Sequence, residues 1–302
     1  MQSVTFFNTT PSRQISFTAN PIKFNLGSVK ESLCNDYFEK QISPFDNPLF
    51  YRYLSKNSKQ TDSILNKIYK RKLPAYDKVL ADNNIDKKHR ILLVDPEIAA
   101  HIDEFGQYVS SSNIDTKKLS PFELRKQFSD YLGTETVYRG LYSDDCNELL
   151  ETLKKDGIYP KIAENKSSIS DSLGYYLSVA GESALNVFSR LNDVIKGKKN
   201  TEFMSVSSIY DVAASVAKNG SNSASTPVVV AKTEVPRLSV IKQKGDFSTR
   251  KSVDKDVLII GDKKYDCDTQ KSEIESFIPF HISTKNTEFT IDTTTPDYRW
   301  GY

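Results

Sequence analysis

The chain has 302 residues, of which 38% are hydrophobic and 26% are charged, and its formal net charge at pH 7 is +2. This length suffices for one large or two ordinary domains with a buried core, and 12 Gly, 12 Pro and 3 Cys exclude the collagen-like and disulfide-rich classes. The near-zero charge argues against nucleic acid as the main partner, and no stretch approaches the ~18 uninterrupted apolar residues of a membrane span.

The first 130 residues favour helix. Apolar residues recur three and four positions apart in residues 29–41, 47–57 and 61–72. Asp95, followed by Pro96, is predicted to cap a further helix. The sequence from Ser120 to Glu123 has the pattern of a capping box with proline at the first turn, and it predicts a helix that ends at Gly133.

From residue 134 onward the pattern changes. Residues 134–142 alternate and are rich in β-favouring side chains, so they predict a strand. A helix is expected from Ser143 to about residue 155, with Gly157 closing it. A serine-rich stretch at 165–174 predicts a loop, and the apolar spacing at 184–195 predicts an amphipathic helix.

The last third of the chain favours strands. A short strand is predicted at 201–208, followed by a helix whose inward face carries Ile209, Val212, Ala213 and Val216. The remaining predicted strands are 226–235, 238–242, 256–262, 275–283 and 287–292. Helices followed by strands indicate an α+β fold, with a helical region at 1–130 and a β-rich region at 131–302.

Cysteine and histidine spacing gives no indication of a metal site. The residues concerned are Cys34, Cys146, Cys267, His89, His101 and His281. The cysteines are odd in number and far apart without a CxxC pair, and the histidines show neither HxH nor HExxH spacing. We expect free thiols and no metal. The start of the chain lacks the charge and apolar pattern of a signal peptide.

Three short motifs in the β-rich region stand out. Arg139 lies within an apolar strand and is followed by Gly140, and Ser205 and Ser207 flank Val206 in an SxS pattern. Residues 273–275 form an ExE pattern, for which we expect both carboxylates on one face of a strand. Each motif has an ordinary structural explanation when taken alone.

In this order, the three motifs resemble mono-ADP-ribosyltransferases of the arginine-serine-glutamate class, which includes actin-modifying binary toxins, cholera-like toxins and bacterial effectors. The resemblance covers roughly residues 130–302. It implies a two-sheet β core with an NAD cleft between the sheets, packed against the helical N-terminal region. Residues 1–130 would cover that cleft or recognise the target protein.

The chemistry of this class fits the residue types. Cleavage of the nicotinamide N-glycosidic bond passes through an oxocarbenium-like transition state, as glycoside hydrolysis does. A fixed carboxylate in a poorly hydrated cleft stabilises such a state. An arginine suits the pyrophosphate because its donors form a rigid fork. NAD is then the substrate that supplies ADP-ribose.

The resemblance also implies residue roles. Arg139, with Gly140 beside it, would bind the NAD phosphate and ribose, and Ser205 would orient the catalytic glutamate. Ser207 would support the strand or the nicotinamide side. Glu275 would bind the nicotinamide ribose and stabilise the oxocarbenium, while Glu273 would position the acceptor and take its proton. A glutamate at this earlier position goes with arginine as the acceptor.

Two positions depart from the pattern or leave alternatives open. Related toxins often carry an aromatic residue three positions before the first acid, where this chain has Gln270 and the nearest aromatic is Tyr265. For the residue that stacks on nicotinamide, Tyr210 is a candidate, although it could equally be a core residue of the helix after SxS.

The resemblance implies a bacterial effector or toxin, made in the cytoplasm, exported without a signal peptide and acting on a host protein in the host cytosol. Two alternatives stay open: an NAD glycohydrolase or transferase to another acceptor residue, and a non-enzymatic interaction module. The need for a regulatory or activating partner is also left open.

Overall fold

The computed structural model places a helical region before a β-rich region. The residues it describes are 44–69, 73–158, 204–220, 226–242, 257–266, 270, 273–274, 276–278, 282 and 284–301. Helix and sheet are both present in the order predicted, so the α+β class is confirmed. The predicted helices at 29–41 and 184–195 and the predicted loop at 165–174 lie outside the described residues.

The helical region consists of short helices. They are α1 (Pro48–Lys56), α2 (Ser58–Tyr69), α3 (Leu73–Asp82), α4 (Pro96–Ala100), α5 (Ile102–Ser111) and α6 (Pro121–Leu132), with 3₁₀ turns at Pro44–Asp46 and Lys87–Val94. Asp95 caps α4, as predicted, because its side chain accepts a hydrogen bond from the Glu97 amide. Ser120 and Glu123 form the predicted capping box of α6.

Aromatic side chains fill the core of this helical region. Phe105 of α5 and Phe128 of α6 are fully buried, and their ring centroids lie 5.2 Å apart in an edge-to-face arrangement. Phe45 and Phe50 make a similar contact at 5.6 Å. Tyr51 of α1 and Phe122 of α6 also pack, with ring centroids 6.2 Å apart, so the first and last helices described share one core.

The described part of the β-rich region begins at β1 and includes two further helices. Its elements are β1 (Thr134–Leu141), α7 (Cys146–Asp156), β2 (Met204–Val206), α8 (Tyr210–Gly220), β3 (Val228–Pro236), β4 (Ile241–Lys242), β5 (Val257–Ile260), β6 (Lys263–Asp266), β7 (Ser276–Ile278), β8 (Thr287–Asp292) and β9 (Tyr298–Gly301). Within the described ranges these strands form three antiparallel sheets, ordered β1-β3-β8, β2-β7-β4 and β6-β5-β9. A bridge between Tyr138 and Ser207 connects the first two sheets.

The two faces of the β1-β3-β8 sheet pack against different partners. Val137 belongs to an apolar cluster with Met204 and Val206 of β2 and Leu149 and other residues of α7. Tyr138, the next residue, packs instead against a cluster that contains residues of α8. Successive side chains of a strand point to opposite faces, so Arg139 shares the face of Val137.

A 3₁₀ turn at Arg237–Ser239, between β3 and β4, joins the two regions. Leu238 is buried in the core of the helical region, and the Arg237 amide donates a 2.9 Å hydrogen bond to the carbonyl of Gly133. The helical region is therefore packed against the turn that leads into β4. This turn also shortens the strand predicted at 238–242, because β4 begins only at Ile241.

Two other predicted boundaries are wrong in detail. The helix expected from Ser143 begins at Cys146, because the Asp145 side chain caps it by accepting from the amides of Asn147 and Glu148. The strand expected to include both acids of ExE is also wrong at its start. Glu273 has helical backbone, and β7 begins at Ser276.

Candidate functional site

Arg139 lies near the middle of β1 and reaches the SxS strand. Its Nη1 donates a 2.6 Å hydrogen bond to the backbone carbonyl oxygen of Ser205. Ser205 is 8% exposed, and Val206 beside it is fully covered. The guanidinium is thus fixed on the face of β1 that packs against β2, where its position is set by the partner strand.

The second serine of the SxS motif connects β1 to the start of α8. The amide of Tyr138 donates to the carbonyl of Ser207 at 2.7 Å, and the amide of Ser207 donates back at 2.9 Å. The Ser207 hydroxyl accepts a 3.1 Å hydrogen bond from the Ile209 amide. Ser207 is fully buried, so it has no free surface for contacting a ligand in this conformation.

The backbone of Glu273 is held by the same segment. Its carbonyl oxygen accepts hydrogen bonds from the Ser207 hydroxyl at 2.9 Å, the Ser208 hydroxyl at 3.0 Å and the Ser208 amide at 2.9 Å. The Glu273 side chain is exposed. The arrangement fixes the main chain of the first acid of ExE while its carboxylate faces solvent.

Strand β7, which follows the ExE motif, pairs with β2. Val206 is opposite Ser276, and Ser205 is opposite Phe277. Ser276 is 2% exposed, so the strand enters a buried position directly after the motif. Glu275 lies outside the described residues. Through the hydrogen bonds described above, the structure brings Arg139, the SxS strand and Glu273 together.

Gly140 and Tyr210 lie on the other face of β1, against α8. A Cβ atom at Gly140 would stand 2.0 Å from the carbonyl oxygen of Ala213, so glycine permits the close approach of the helix. Tyr210 packs edge-to-face against Tyr138, with ring centroids 5.6 Å apart. Strand alternation separates both residues from the side chain of Arg139.

The hydroxyl of Tyr210 is anchored. It donates a 2.7 Å hydrogen bond to Oδ2 of Asp292 at the end of β8. Burial and this bond to a carboxylate raise the pKa of Tyr210 to about 12. Burial alone would raise the pKa of Asp292, but hydrogen bonds from Thr295 and Tyr210 outweigh it and lower that pKa to about 2. The contacts of Tyr210 are those of a core residue of α8.

Tyr265 on β6 contacts the same helix from another side. Its hydroxyl donates to Oδ2 of Asp211 at 3.3 Å, and Lys263 forms an ion pair with that carboxylate. Tyr265 also packs against an apolar cluster that contains Ile274, the residue after Glu273. The nearest aromatic upstream of the ExE motif is thus in packing contact with the cluster that holds Ile274.

A buried ionic cluster in the helical region was not predicted from the sequence. Arg125 is 2% exposed and bonds three carboxylates, those of Asp46, Asp95 and Glu97. Tyr51 donates a further 3.2 Å hydrogen bond to Asp95. Desolvation raises the pKa of Glu97 well above its ordinary value, and the neighbouring Asp95 carboxylate raises it further.

Ser208 and Asp211 were also missed. Ser208 directly follows the SxS motif, where a third serine in a serine-rich chain carries no distinguishing signal. Asp211 lies in the first turn of α8, where an acidic residue is ordinary. Their roles depend on Glu273 and Tyr265, which are more than 50 residues away in the chain.

Within the described residues, no group of three or more His, Cys, Asp or Glu side chains is arranged to hold a metal ion. None of the helices described has the length and apolar character needed to cross a membrane.

Comparison with family models, with curated proteins and with solved structures gives no match. The site is therefore interpreted from its own geometry.

Proposed function

We propose that this protein is an NAD-dependent mono-ADP-ribosyltransferase that transfers ADP-ribose to an arginine side chain of a target protein. One observation carries the proposal. Three motifs that are far apart in the sequence meet at β2, where Arg139 bonds the carbonyl of Ser205 and the serines that follow bond the carbonyl of Glu273. Chance motifs on a surface would have no reason to converge in this way.

Arg139 provides the cation for the NAD pyrophosphate. A guanidinium bound on one side to a backbone carbonyl keeps its planar fork in a fixed orientation, which lowers the entropy lost when phosphate binds. Ser205, on the buried strand beside it, would orient the catalytic glutamate. Tyr210 is not part of this proposal, because it packs on the opposite face of β1.

The two acids divide the reaction between them. The bond between the ribose C1′ and the nicotinamide nitrogen breaks, and nicotinamide leaves with the electron pair. Glu275 would stabilise the resulting oxocarbenium as a fixed anion. A guanidine nitrogen of the acceptor then attacks C1′ and loses a proton to the carboxylate of Glu273. The exposure of Glu273 supports its part, because a protein acceptor must reach it.

We further propose that the protein is a bacterial effector or toxin. It would be exported without a signal peptide and would modify a host protein in the host cytosol. The helical region, joined to the β-rich region through the buried Leu238, would cover the NAD cleft or contact the target.

Incubation of the purified protein with labelled NAD and host-cell lysate tests the proposal. A labelled protein band is expected with the wild type and with Glu288→Gln, a surface control whose side chain is 73% exposed. The band should be lost with the double variant Glu273→Gln/Glu275→Gln. Free ADP-ribose without a band would indicate an NAD glycohydrolase. Absence of both products and of NAD-dependent thermal stabilisation would leave a non-enzymatic interaction module.

A further inference from the structure

Ser208, the residue directly after the SxS motif, donates two of the three hydrogen bonds described between this segment and the backbone of Glu273. Both its backbone amide and its hydroxyl donate to the carbonyl oxygen of Glu273, at 2.9 and 3.0 Å. Together with the hydroxyl of Ser207, three donors converge on one oxygen. A carbonyl oxygen has two lone pairs, so this acceptor is fully used.

These donors lie just before a helix. Ser208 is two residues before Tyr210, where α8 begins. The Ile209 amide between them is bonded to the Ser207 hydroxyl, so the donors to the Glu273 carbonyl belong to the segment before the helix. Ile274, the next residue, is 7% exposed and packs with Val212 and Val216 of the same helix. The segment before α8 thus holds the backbone of Glu273, and α8 itself packs against the side chain of Ile274.

From this geometry we infer that Ser208 is a positioning residue that fixes Glu273 toward the acceptor guanidine; the inference rests on the proposed function. The contact is to the backbone, so the carboxylate stays exposed and available for the acceptor's proton. Transfer to a mobile target side chain is faster when the main chain of the acid that positions it is already fixed. NAD cleavage, which is assigned to Glu275 and Arg139, should not need the Ser208 hydroxyl.

Ser208 can be changed with less risk to the fold than Ser207. Ser208 is half-buried, and alanine removes one of the three donors to the carbonyl while the Ser208 amide and the Ser207 hydroxyl stay. Ser207 is fully buried and also accepts from the Ile209 amide, so its loss would disturb the start of α8. Ser208→Thr retains the hydroxyl and is the conservative rescue.

The experiment measures two rates for each variant with agmatine, a small guanidine acceptor: transfer to agmatine and release of nicotinamide without acceptor. Ser208→Ala should lower the transfer rate about ten- to a hundredfold and leave nicotinamide release and NAD-induced stabilisation unchanged. Ser208→Thr should restore most of the transfer. Ser110→Ala, which removes an exposed hydroxyl bonded within α5, is the matched control.

The outcomes separate this inference from the proposed function. An active wild type with transfer unaffected by Ser208→Ala would overturn the inference alone. Equal losses of transfer and nicotinamide release would also overturn it, since they would indicate a general structural role. A wild type with neither activity and no NAD-induced stabilisation would overturn the proposed function, and the inference with it.

Discussion

The guanidinium of Arg139 and the backbone carbonyl of Ser205 are joined by a 2.6 Å hydrogen bond across 66 residues of sequence. The strands that carry them are otherwise connected by the bridge between Tyr138 and Ser207. One side chain therefore adds a second link at the place where two sheets meet. The same group is the one proposed to bind the NAD phosphates, so under that proposal Arg139 serves both the junction of the two sheets and ligand binding.

Replacing Arg139 by alanine should affect both properties. Loss of the bond leaves the Ser205 carbonyl without this donor in a nearly buried place, and we expect the free energy of unfolding to fall by about 1–3 kcal/mol. The stabilisation by NAD should disappear. Urea denaturation and thermal melting with and without NAD measure the two effects. Arg299→Ala, at an exposed position on β9, should change neither.

The two acids of ExE should respond differently to neutral substitution. Glu275→Gln should lower turnover by on the order of 10²–10³ for both transfer and NAD cleavage, because it removes a preorganised anion. Glu273→Gln should abolish transfer and leave residual nicotinamide release. Kinetic measurement of both products separates these effects. Wild-type turnover in the Glu275 variant would refute the site assignment, and an insensitive Glu273 would favour a hydrolase.

The helix caps could be predicted from short sequence patterns. The capping box at Ser120 and the cap at Asp95 were confirmed because each is completed within three residues. The backbone of Glu273 was predicted wrongly, since a three-residue ExE pattern contains too few positions to distinguish a strand from a helical turn.

Contacts between residues far apart in the chain could not be predicted from the sequence. The Ser208–Glu273 bonds span 65 residues, and nothing in the sequence near either residue selects the other. Arg125 bonds Asp46 across 79 residues in the same way. Alternation along the predicted strand already places Gly140 on the face away from Arg139, but only the fold shows that Tyr210 packs on that face too.

Gly140 should tolerate no larger side chain. Gly140→Ala would place Cβ 2.0 Å from the Ala213 carbonyl oxygen and 2.7 Å from the Ala217 Cβ, so α8 must move away from β1. We expect a loss of about 1–3 kcal/mol or more in the free energy of unfolding. Gly106→Ala is the contrast, since its nearest neighbour is the flexible Asn83 side chain. Equal losses in urea denaturation would contradict this account.

Tyr210→Phe tests whether the Tyr210 hydroxyl serves the fold or the nucleotide. Removing the hydroxyl deletes the bond to Asp292, and we expect a loss of about 1–2 kcal/mol in stability with unchanged NAD-induced stabilisation. The low pKa of Asp292, about 2 against an ordinary 3.8, means that its contribution is present above 3.8 and is lost toward pH 2. The difference between wild type and variant should therefore shrink over that range. A loss of NAD-induced stabilisation would instead indicate that the Tyr210 hydroxyl contacts the nucleotide. Because phenylalanine keeps the ring, stacking on nicotinamide is tested by Tyr210→Leu, which removes it.

The buried carboxylate of Glu97 gives an opposite pH dependence. Desolvation and the adjacent Asp95 raise its pKa well above the ordinary 4.5, although Arg125 opposes them. A raised pKa in the folded state means that the native protein binds the proton more tightly than the unfolded chain does. This contribution to stability is fully present below about pH 4.5 and is lost as the pH rises through the folded-state value.

Glu97→Gln should remove this dependence. The amide oxygen still accepts from Arg125, but the side chain stays neutral at every pH. We expect the variant to be more stable than the wild type near pH 7, with the gap closing below about pH 4.5. Urea denaturation from pH 4 to 8 measures the gap, with Glu151→Gln, 75% exposed, as control. A gap that stays constant with pH would show that Glu97 does not take up a proton over this range.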